Sequence, residues 1–336
     1  MAKSSINIKA LAKALNLSTS TVSRAFCNRA GINSKTQKLI LNKAKELGYY
    51  PNVHASNLRD NKSNTIAVIM PELANNFFSL AVKGIERVAQ ANAYHTLIYV
   101  TDSLYEKEVA IVENLYNGRV DGIIMSVSGE GKNHGYIKRL QTSNIPLVFF
   151  DRVYDDIDLP KITTDDYFSS FKATEYLLKH GCKKAAFLVI DKNVSIGNAR
   201  MNGFIDAHKK LKISADNYLI VDCSNDLDES YRIIKDALLK RKPDALLASV
   251  ERLAIAAYRV CMDEKIAIPQ QIKIISYSNL FVTDMLNPAL STIEQPAEAL
   301  GTKAAEILFG ILQHQPLAQK DFVLASKIIH RKSTEF

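Results

Sequence analysis

A row of small hydroxyl side chains that ends in an arginine is the part of this sequence best suited to contact a polar partner. The row consists of Ser18, Thr19, Ser20, Thr21, Ser23 and Arg24. Hydroxyl groups can bond phosphates or base edges, and an arginine can make a bidentate contact to guanine. The same residues also suit a plainer role, in which the hydroxyls only cap a helix and Arg24 is a solvated surface charge.

Two short helices around a tight turn are predicted to position this row. Apolar side chains recur at helical spacing in the first helix, namely Ile8, Leu11, Ala12 and Leu15. Asn16 can end that helix in the left-handed conformation, and Ser18 is a natural N-cap for the second helix. Val22 and Phe26 of the second helix then face the same core, so the hydroxyl row and Arg24 face outward. This pattern is typical of a helix-turn-helix.

A third helix, with Asn33 or Ser34 as its N-cap, completes a small N-terminal head that is strongly basic. Residues 1–64 contain eleven Lys or Arg against only Glu46 and Asp60, a net charge of +9, whereas the whole chain carries +8. The remaining residues therefore sum to −1. Positive charge confined to one small unit indicates a polyanionic partner, and it argues against a membrane-surface protein.

Composition excludes several other classes of protein. The 336 residues are 47% hydrophobic, which is enough for a head and a large globular core. The four cysteines are far apart and form no C-x-x-C pair, so a reducing compartment is expected. No signal peptide or 18-residue apolar run is present, which predicts a cytoplasmic protein. The histidines show no metal-ligand spacing, so we expect neither a metal nor a cofactor.

From Thr65 onward, apolar strands alternate with amphipathic helices. The predicted strands are Thr65–Met70, His95–Val100, Gly122–Ser126, Pro146–Phe150, Lys184–Ile190, Tyr218–Asp222, Ala245–Ser249 and Ile272–Tyr277. Continuous Ile/Val/Leu runs of this length are typical of buried parallel strands. Two halves of similar size result, and doubly wound halves bind ligands at the carboxyl ends of their strands. A cleft between two lobes is therefore predicted.

Ordered motifs along nearly the whole chain resemble those of the LacI/GalR family of bacterial transcription regulators. Residues 17–24 resemble V-S-x-x-T-V-S-R, and residues 46–52 resemble E-L-G-Y-x-P-N. Later matches are Asn75-Asn76-Phe77-Phe78, residues 119–124, Phe150-Asp151-Arg152, residues 200–204 and residues 290–296. The resemblance implies a regulator, most often a repressor, that binds a palindromic operator as a homodimer, or as a tetramer.

The resemblance also implies a domain organisation. We expect an all-α helix-turn-helix head at residues 1–50 and a hinge helix with its linker at residues 51–64. Residues 65–336 would then form an α/β two-lobed, periplasmic-binding-protein-like core with doubly wound parallel sheets. The first lobe is expected at about residues 65–164 and 293–321, and the second at about residues 165–292 and 322–332.

Carried over residue by residue, the family pattern assigns DNA contacts to the head and hinge. Thr19, Ser20 and Arg24 would reach base edges. Ser18 and the residues that hold the DNA backbone would join them: Asn7, Thr21, Ser23, Asn33, Thr36 and Asn52. The hinge would add His54, Ala55, Leu58 and Arg59, with Leu58 as a wedge in the minor groove unless it is an ordinary linker leucine. Ser56 stands where the family usually has arginine.

The same resemblance assigns a small-molecule effector to the inter-lobe cleft. Its expected contacts are Phe77, Phe78, Asp151, Arg152, Arg200, Glu251, Ser278 and Gln295. Arg200 could instead form a structural salt bridge between the lobes. The family's N-D is here Val250-Glu251, and its final G-[FY]-D aspartate is here Ser278, so two polar anchors for a sugar are missing. The effector is therefore a sugar, a sugar derivative or another metabolite, or else the regulator is ligand-insensitive or controlled by a protein partner.

Two other classes of protein fit the sequence less well. The loop Gly129–Gly135 superficially resembles a phosphate-binding glycine loop, but it follows the wrong strand for a dinucleotide fingerprint, and no other catalytic motif is present. An enzyme is therefore not expected. A transport-type solute-binding protein shares the two-lobed clamp, but such proteins are exported and would not need a basic head.

Overall fold

The computed structural model describes residues 6–26, 32–49, 62–116, 119–129 and 133–336. The chain divides into two compact units, Met1–Ser63 and Asn64–Phe336. The predicted hinge helix at residues 53–59 lies outside the described residues. Within the described ranges, no helix is long and apolar enough to cross a membrane.

The N-terminal unit is a bundle of helices α1 (Ile8–Leu15), α2 (Thr19–Phe26) and α3 (Ser34–Leu47). Asn16 ends α1 with a φ of 53°, and Gly48 ends α3 with a φ of 68°, as left-handed C-caps do. The buried core consists of Leu11, Ala12, Val22, Ala25, Ile40, Ala44 and Tyr49. The predicted helix-turn-helix is confirmed, and Tyr49 adds a core contact by packing 5.5 Å from the ring of Phe26.

The first lobe of the core is built on a parallel sheet of six strands. In chain order these are β1 (Thr65–Met70), β2 (His95–Val100), β3 (Gly122–Met125), β4 (Leu147–Phe150), β5 (Lys161–Thr164) and β11 (Asp321–Leu324). Their order across the sheet is β11-β5-β4-β3-β1-β2. The helices of this lobe are α4 (Asn76–Ala91), α5 (Tyr105–Leu115), α6 (Gly135–Thr142) and α11 (Ala297–Leu312). A Cβ on Gly301 would lie 2.0 Å from the Ala81 carbonyl oxygen, so glycine lets α11 cross α4 closely.

The second lobe repeats this architecture. Its strands are β6 (Ala185–Val189), β7 (Tyr218–Asp222), β8 (Ala245–Ala248), β9 (Lys273–Tyr277), β10 (Ser291–Glu294) and β12 (Lys327–Ile329), in the sheet order β12-β10-β9-β8-β6-β7. The pairs are parallel except for β10 with β12. The helices are α7 (Asp166–Lys179), α8 (Ser195–Lys210), α9 (Leu227–Arg241) and α10 (Glu251–Asp263). The predicted fold class, a helical head on two doubly wound α/β lobes, is confirmed.

The lobe limits near the C-terminal end of the core differ from those expected. Residues 293–294 were expected in the first lobe, but they belong to β10 of the second sheet. Residues 322–324 were expected in the second lobe, but β11 pairs with β5 in the first sheet. Strand β11 is short, and its residues alternate between exposed and half-buried, so its sequence lacks the continuous apolar run of a central strand.

Candidate functional site

The outward face of α2 carries the predicted DNA contacts. Ser18, Thr19, Ser20 and Arg24 are exposed, and Thr21 and Ser23 are half-buried. Ser18 Oγ accepts a hydrogen bond from the Thr21 amide at 3.1 Å, so Ser18 is the N-cap of this helix. Its hydroxyl also lies 2.8 Å from the hydroxyls of both Ser20 and Thr21. The N-terminal end of α2 therefore presents a connected group of hydroxyls beside an exposed arginine.

Two asparagines assigned to the DNA backbone cap helices of the head. Asn7 Oδ1 accepts from the Ala10 amide at 3.0 Å, and Asn33 Oδ1 accepts from the Lys35 amide at 2.9 Å. Each side chain also has an NH₂ group, which is the part suited to donate to a phosphate. Thr36 is half-buried at the start of α3. The other assigned residues, Asn52, His54, Ala55, Leu58 and Arg59, lie outside the described residues.

Arg200, on α8, is the centre of a buried polar group at the cleft. Its side chain is 3% exposed, and its Nε donates to Asp166 Oδ1 at 2.6 Å. A second guanidinium nitrogen donates to the Ser249 carbonyl at 2.6 Å, and the guanidinium lies 3.8 Å from the ring centre of Tyr277. Burial alone would lower the pKa of Arg200, but Asp166, Tyr277 and Asp151 raise it above its usual value. The salt bridge lies within the second lobe rather than between the lobes.

Asp151 and Arg152 follow β4 of the first lobe. Asp151 is 4% exposed, accepts from Ser126 Oγ at 3.1 Å, and has a φ of 61°. Burial raises the pKa of Asp151 to about 6, although Arg152 and Arg200 oppose that rise. Burial also lowers the pKa of Arg152, whose guanidinium donates to Ser103 Oγ at 3.1 Å. Asp151 can therefore change its charge near neutral pH.

Glu251 is the first residue of α10 and turns its carboxylate into the cleft. This carboxylate accepts from Ser278 Oγ at 3.0 Å and from the Asn279 amide at 3.3 Å. Burial raises the pKa of Glu251, and hydrogen bonds from Ser278, Asn279 and the backbone of Asn76 partly offset that rise. Ser278 therefore binds a carboxylate of the protein itself.

The structure brings five of the eight predicted effector contacts together around one cavity of about 40 Å³. Its lining is Asn75, Phe77, Arg200, Ser249, Val250, Glu251, Tyr277, Ser278, Asn279 and Gln295. Phe78 is absent from this lining because its ring packs in the first-lobe core, 6.2 Å from Phe150. Asp151 lines a separate cavity of about 270 Å³, together with Asp165, Asp166 and Tyr167.

Sequence reasoning missed several polar residues of the cleft. The sequence indicated Asn75 and Asn76 only as part of a motif, and Tyr277 only as the last residue of a predicted strand. Asp166 follows β5, a strand that the sequence did not predict. The two adjacent aspartates Asp165 and Asp166, directly after β5, are the signal that could have indicated an acidic partner for Arg200.

Comparison with known proteins identifies the class of protein. The family model "Bacterial regulatory proteins, lacI family" matches residues 7–52. The model "Periplasmic binding proteins and sugar binding domain of LacI family" matches residues 63–328, which is most of the chain. The chain belongs to the LacI family and is a DNA-binding transcriptional regulator.

Individual relatives match over nearly their full length. The HTH-type transcriptional regulator RegA of Clostridium saccharobutylicum is 28% identical over 98% of this chain and 99% of its own. The ribose operon repressor of Halalkalibacterium halodurans is 27% identical over 98% of this chain and 97% of its own. A crystal structure of the lac repressor dimer bound to operator and the anti-inducer ONPF matches the fold with a TM-score of 0.86 at 20% identity, covering 98% of this chain and 99% of that one.

Proposed function

We propose that the head reads a palindromic operator by placing α2 in the major groove. The observation that carries this proposal is the exposed face of α2, where Thr19, Ser20 and Arg24 lie beside the capping hydroxyl of Ser18. The DNA backbone would be held by Asn7, Thr21, Ser23, Asn33, Thr36 and the hinge. Exposed lysines on the same small unit, such as Lys9, Lys13 and Lys38, would supply the nonspecific part of the affinity.

A homodimer is the assembly that a palindromic operator requires, because two-fold DNA symmetry needs two-fold protein symmetry. Both lobes expose apolar side chains that a second copy could cover. Strand β2 is an edge strand of the first-lobe sheet, and its Leu97 and Ile98 are 40% and 42% exposed. The second lobe exposes Leu227, Ile255, Phe281 and Met285. Uncovered edges and patches of this kind favour self-association.

The core would respond to a sugar, a sugar derivative or another small metabolite in the inter-lobe cleft. Phe77 can stack on an apolar ring face, while Gln295 and the Glu251–Ser278 pair offer hydrogen-bonding groups. The ribose operon repressor among the relatives supports both a sugar-like effector and repression as the outcome. No catalytic role is proposed, and the site of action is the cytoplasm, where the DNA is.

A second candidate is a regulator that does not respond to a small ligand, or that responds to a protein partner. The observation that favours it is the size of the cavity that five of the predicted effector contacts line, about 40 Å³, whereas ligand pockets are usually about 300–1,000 Å³. Val250 and Ser278 also leave the cleft without two of the family's polar anchors.

The decisive experiment is selection of binding sites from random duplex DNA with the full chain, followed by affinity measurements at several salt concentrations. We expect a palindromic consensus that binds far more tightly than either half-site, with affinity falling steeply as salt rises. Absence of sequence-selective binding at low salt would overturn the proposal. A thermal-shift screen of sugars, sugar phosphates and nucleobases with the chain from residue 63 onward then separates the two candidates.

A further inference from the structure

The two lobes of the core are joined by short segments, and no strand of one lobe pairs with a strand of the other among the described residues. Within residues 133–336 the chain crosses between the lobes three times, after β5, after β10 and after β11. Hinges of this kind are soft, so the relative position of the lobes depends on what bridges the cleft. In proteins that close around a ligand, the ligand supplies that bridge.

Here the side chains of the protein bridge the cleft. Glu72 follows β1 of the first lobe, and Arg252 lies in the first turn of α10 of the second lobe. One guanidinium nitrogen of Arg252 donates to both oxygens of Glu72 at 2.6 Å, and each side chain is 27% exposed. Asn75 Nδ2 also donates to Glu72 at 2.8 Å, which fixes the carboxylate from its own lobe.

A second bridge runs beside this ion pair. Asn76, at the start of α4 in the first lobe, donates through its side chain to the Asn279 carbonyl in the second lobe. Asn279 in turn donates to the Gln295 carbonyl at 2.7 Å, and Gln295 Nε2 donates to Thr164 Oγ1 at 2.9 Å. Thr164 donates to Asp166 at 2.9 Å, the partner of Arg200. This chain of bonds crosses the cleft and ends at the buried ion pair.

The Glu251 carboxylate occupies space beside these bridges. It accepts from Ser278 and Asn279 of its own lobe, and the backbone of Asn76 in the first lobe also bonds it. On another side of the cleft, the Val153 amide donates to Ser195 Oγ at 3.2 Å, again between lobes. The polar groups of these bridges are therefore paired, and the cavity beside Glu251 is only about 40 Å³, whereas the separate cavity between Asp151 and Asp166 is about 270 Å³.

We infer that the core carries a built-in latch, in which Glu72 with Arg252, and Asn76 with Asn279, hold the lobes closed in place of a ligand. The closed core is then the resting form. A ligand too large for the 40 Å³ cavity beside Glu251 enters it only by breaking the latch, so it opens the core rather than closing it. Closure of the lobes is measured without DNA. Only the effect of closure on operator affinity rests on the proposed function.

The test is a distance measurement between the lobes in the full chain without ligand. Spin labels are attached at Lys107→Cys of α5 and Lys192→Cys after β6, two exposed sites at the carboxyl ends of strands in opposite lobes. Cys27→Ser is included, and labelled chains are diluted with excess unlabelled chains so that only distances within one subunit are recorded. Arg252→Gln and Glu72→Gln break the ion pair, and the double variant tests their coupling.

We expect one narrow distance distribution for the labelled protein with Glu72 and Arg252 intact. Arg252→Gln and Glu72→Gln should each give a broader distribution with a longer mean distance. The double variant should match the single variants, and the exchange Glu72→Arg with Arg252→Glu should restore the narrow distribution. Arg259→Gln is the matched control, because Arg259 lies on the same helix and pairs with Asp228 of its own lobe. The inference would be overturned by a broad distribution in the labelled protein with Glu72 and Arg252 intact, or by narrow distributions in both single variants. Operator affinity of the same proteins is measured separately, so a failure of DNA binding would leave the distance result intact.

Discussion

The head and the inter-lobe cleft each place an arginine among polar groups, but one arginine is open to a partner and the other is paired within the protein. Arg24 of α2 is exposed next to exposed hydroxyls, whereas Arg200 of α8 is 3% exposed and held by Asp166, Ser249 and Tyr277. A surface that binds a polyanion must keep its donors accessible to the partner. A buried arginine must find its partners within the protein, because an unpaired buried charge is costly.

An arginine can therefore bind a partner or stabilise the fold, and residue type alone does not tell these two roles apart. Changes in the head should alter DNA binding with little effect on folding. Changes at the buried pair should alter folding first. The largest effect of a substitution is expected in the cleft.

Arg200→Ala should lower the free energy of unfolding of the core by about 3–5 kcal/mol, because it leaves the Asp166 carboxylate buried without its cation. Equilibrium urea unfolding of the core measures the effect. The matched control is Arg259→Ala, which removes an exposed pair with Asp228 at 3.6 Å and should cost less than about 1 kcal/mol. Equal losses in the two variants would show that burial does not distinguish these arginines.

Asp151→Asn should change how core stability depends on pH. Burial raises the pKa of Asp151 from 3.8 to about 6 in the folded protein, so its contribution is most favourable below pH 4 and is lost as pH rises through 6. Asparagine cannot ionise and tolerates the φ of 61°. The variant should therefore gain on wild type by up to roughly 3 kcal/mol between pH 4 and pH 7.

The control for this prediction is Asp158→Asn, an exposed carboxylate whose pKa is lowered by the hydrogen bond and charge of Lys320. Its contribution has the opposite sign, because the favourable interaction is lost as pH falls. Urea midpoints measured across the same pH range give both slopes. A flat difference between wild type and Asp151→Asn would mean that Asp151 is ionised throughout.

The local features of the head could be predicted from sequence because they depend on residues three or four positions apart. Asn16 and Ser18 were correctly identified as caps, and Val22 as a core residue. In the core, β1, β2 and β7 have the predicted bounds because an apolar run marks each of them, although only β1 is buried and β2 and β7 are edge strands of their sheets. Tyr49 was not predicted to pack in the head because its ring contacts Phe26, a residue 23 positions earlier at the end of α2.

The cleft could be predicted only in part because its contacts join distant segments. Arg200 was singled out, but its partner Asp166 follows β5, whose alternating burial gave no strong strand signal. The pair of Glu72 with Arg252 joins positions 180 residues apart, and neither residue stands out in the sequence. Phe77 and Phe78 show that even neighbouring residues cannot always be told apart from sequence. Both are aromatic residues on α4, but only Phe77 lines the cleft cavity, and the fold decides which of them does so.

Arg24→Ala should lower operator discrimination by about 1–3 kcal/mol at one base position, because it removes a candidate bidentate contact. Unfolding should change by less than about 0.5 kcal/mol, since Arg24 is exposed. Competition binding with single-base operator variants measures the first effect. Lys38→Ala is the control, and it should weaken all sequences alike and flatten the salt dependence. Unchanged discrimination in Arg24→Ala would remove this arginine from base readout.

The smallest effects are expected for the neighbouring hydroxyls of Ser18 and Thr19, and they should differ in kind. Ser18 Oγ accepts the Thr21 amide at 3.1 Å, so Ser18→Ala should cost the head about 1 kcal/mol of stability, and Ser18→Gly only a few tenths. Thr19 is exposed and outside that bond, so Thr19→Ala should weaken operator binding without loosening the helix. Hydrogen exchange of the head amides, paired with operator titration, separates the two outcomes. If both alanine variants lose the same protection, the hydroxyls share one structural role, and the distinction between exposed and internally bonded groups fails within α2 itself.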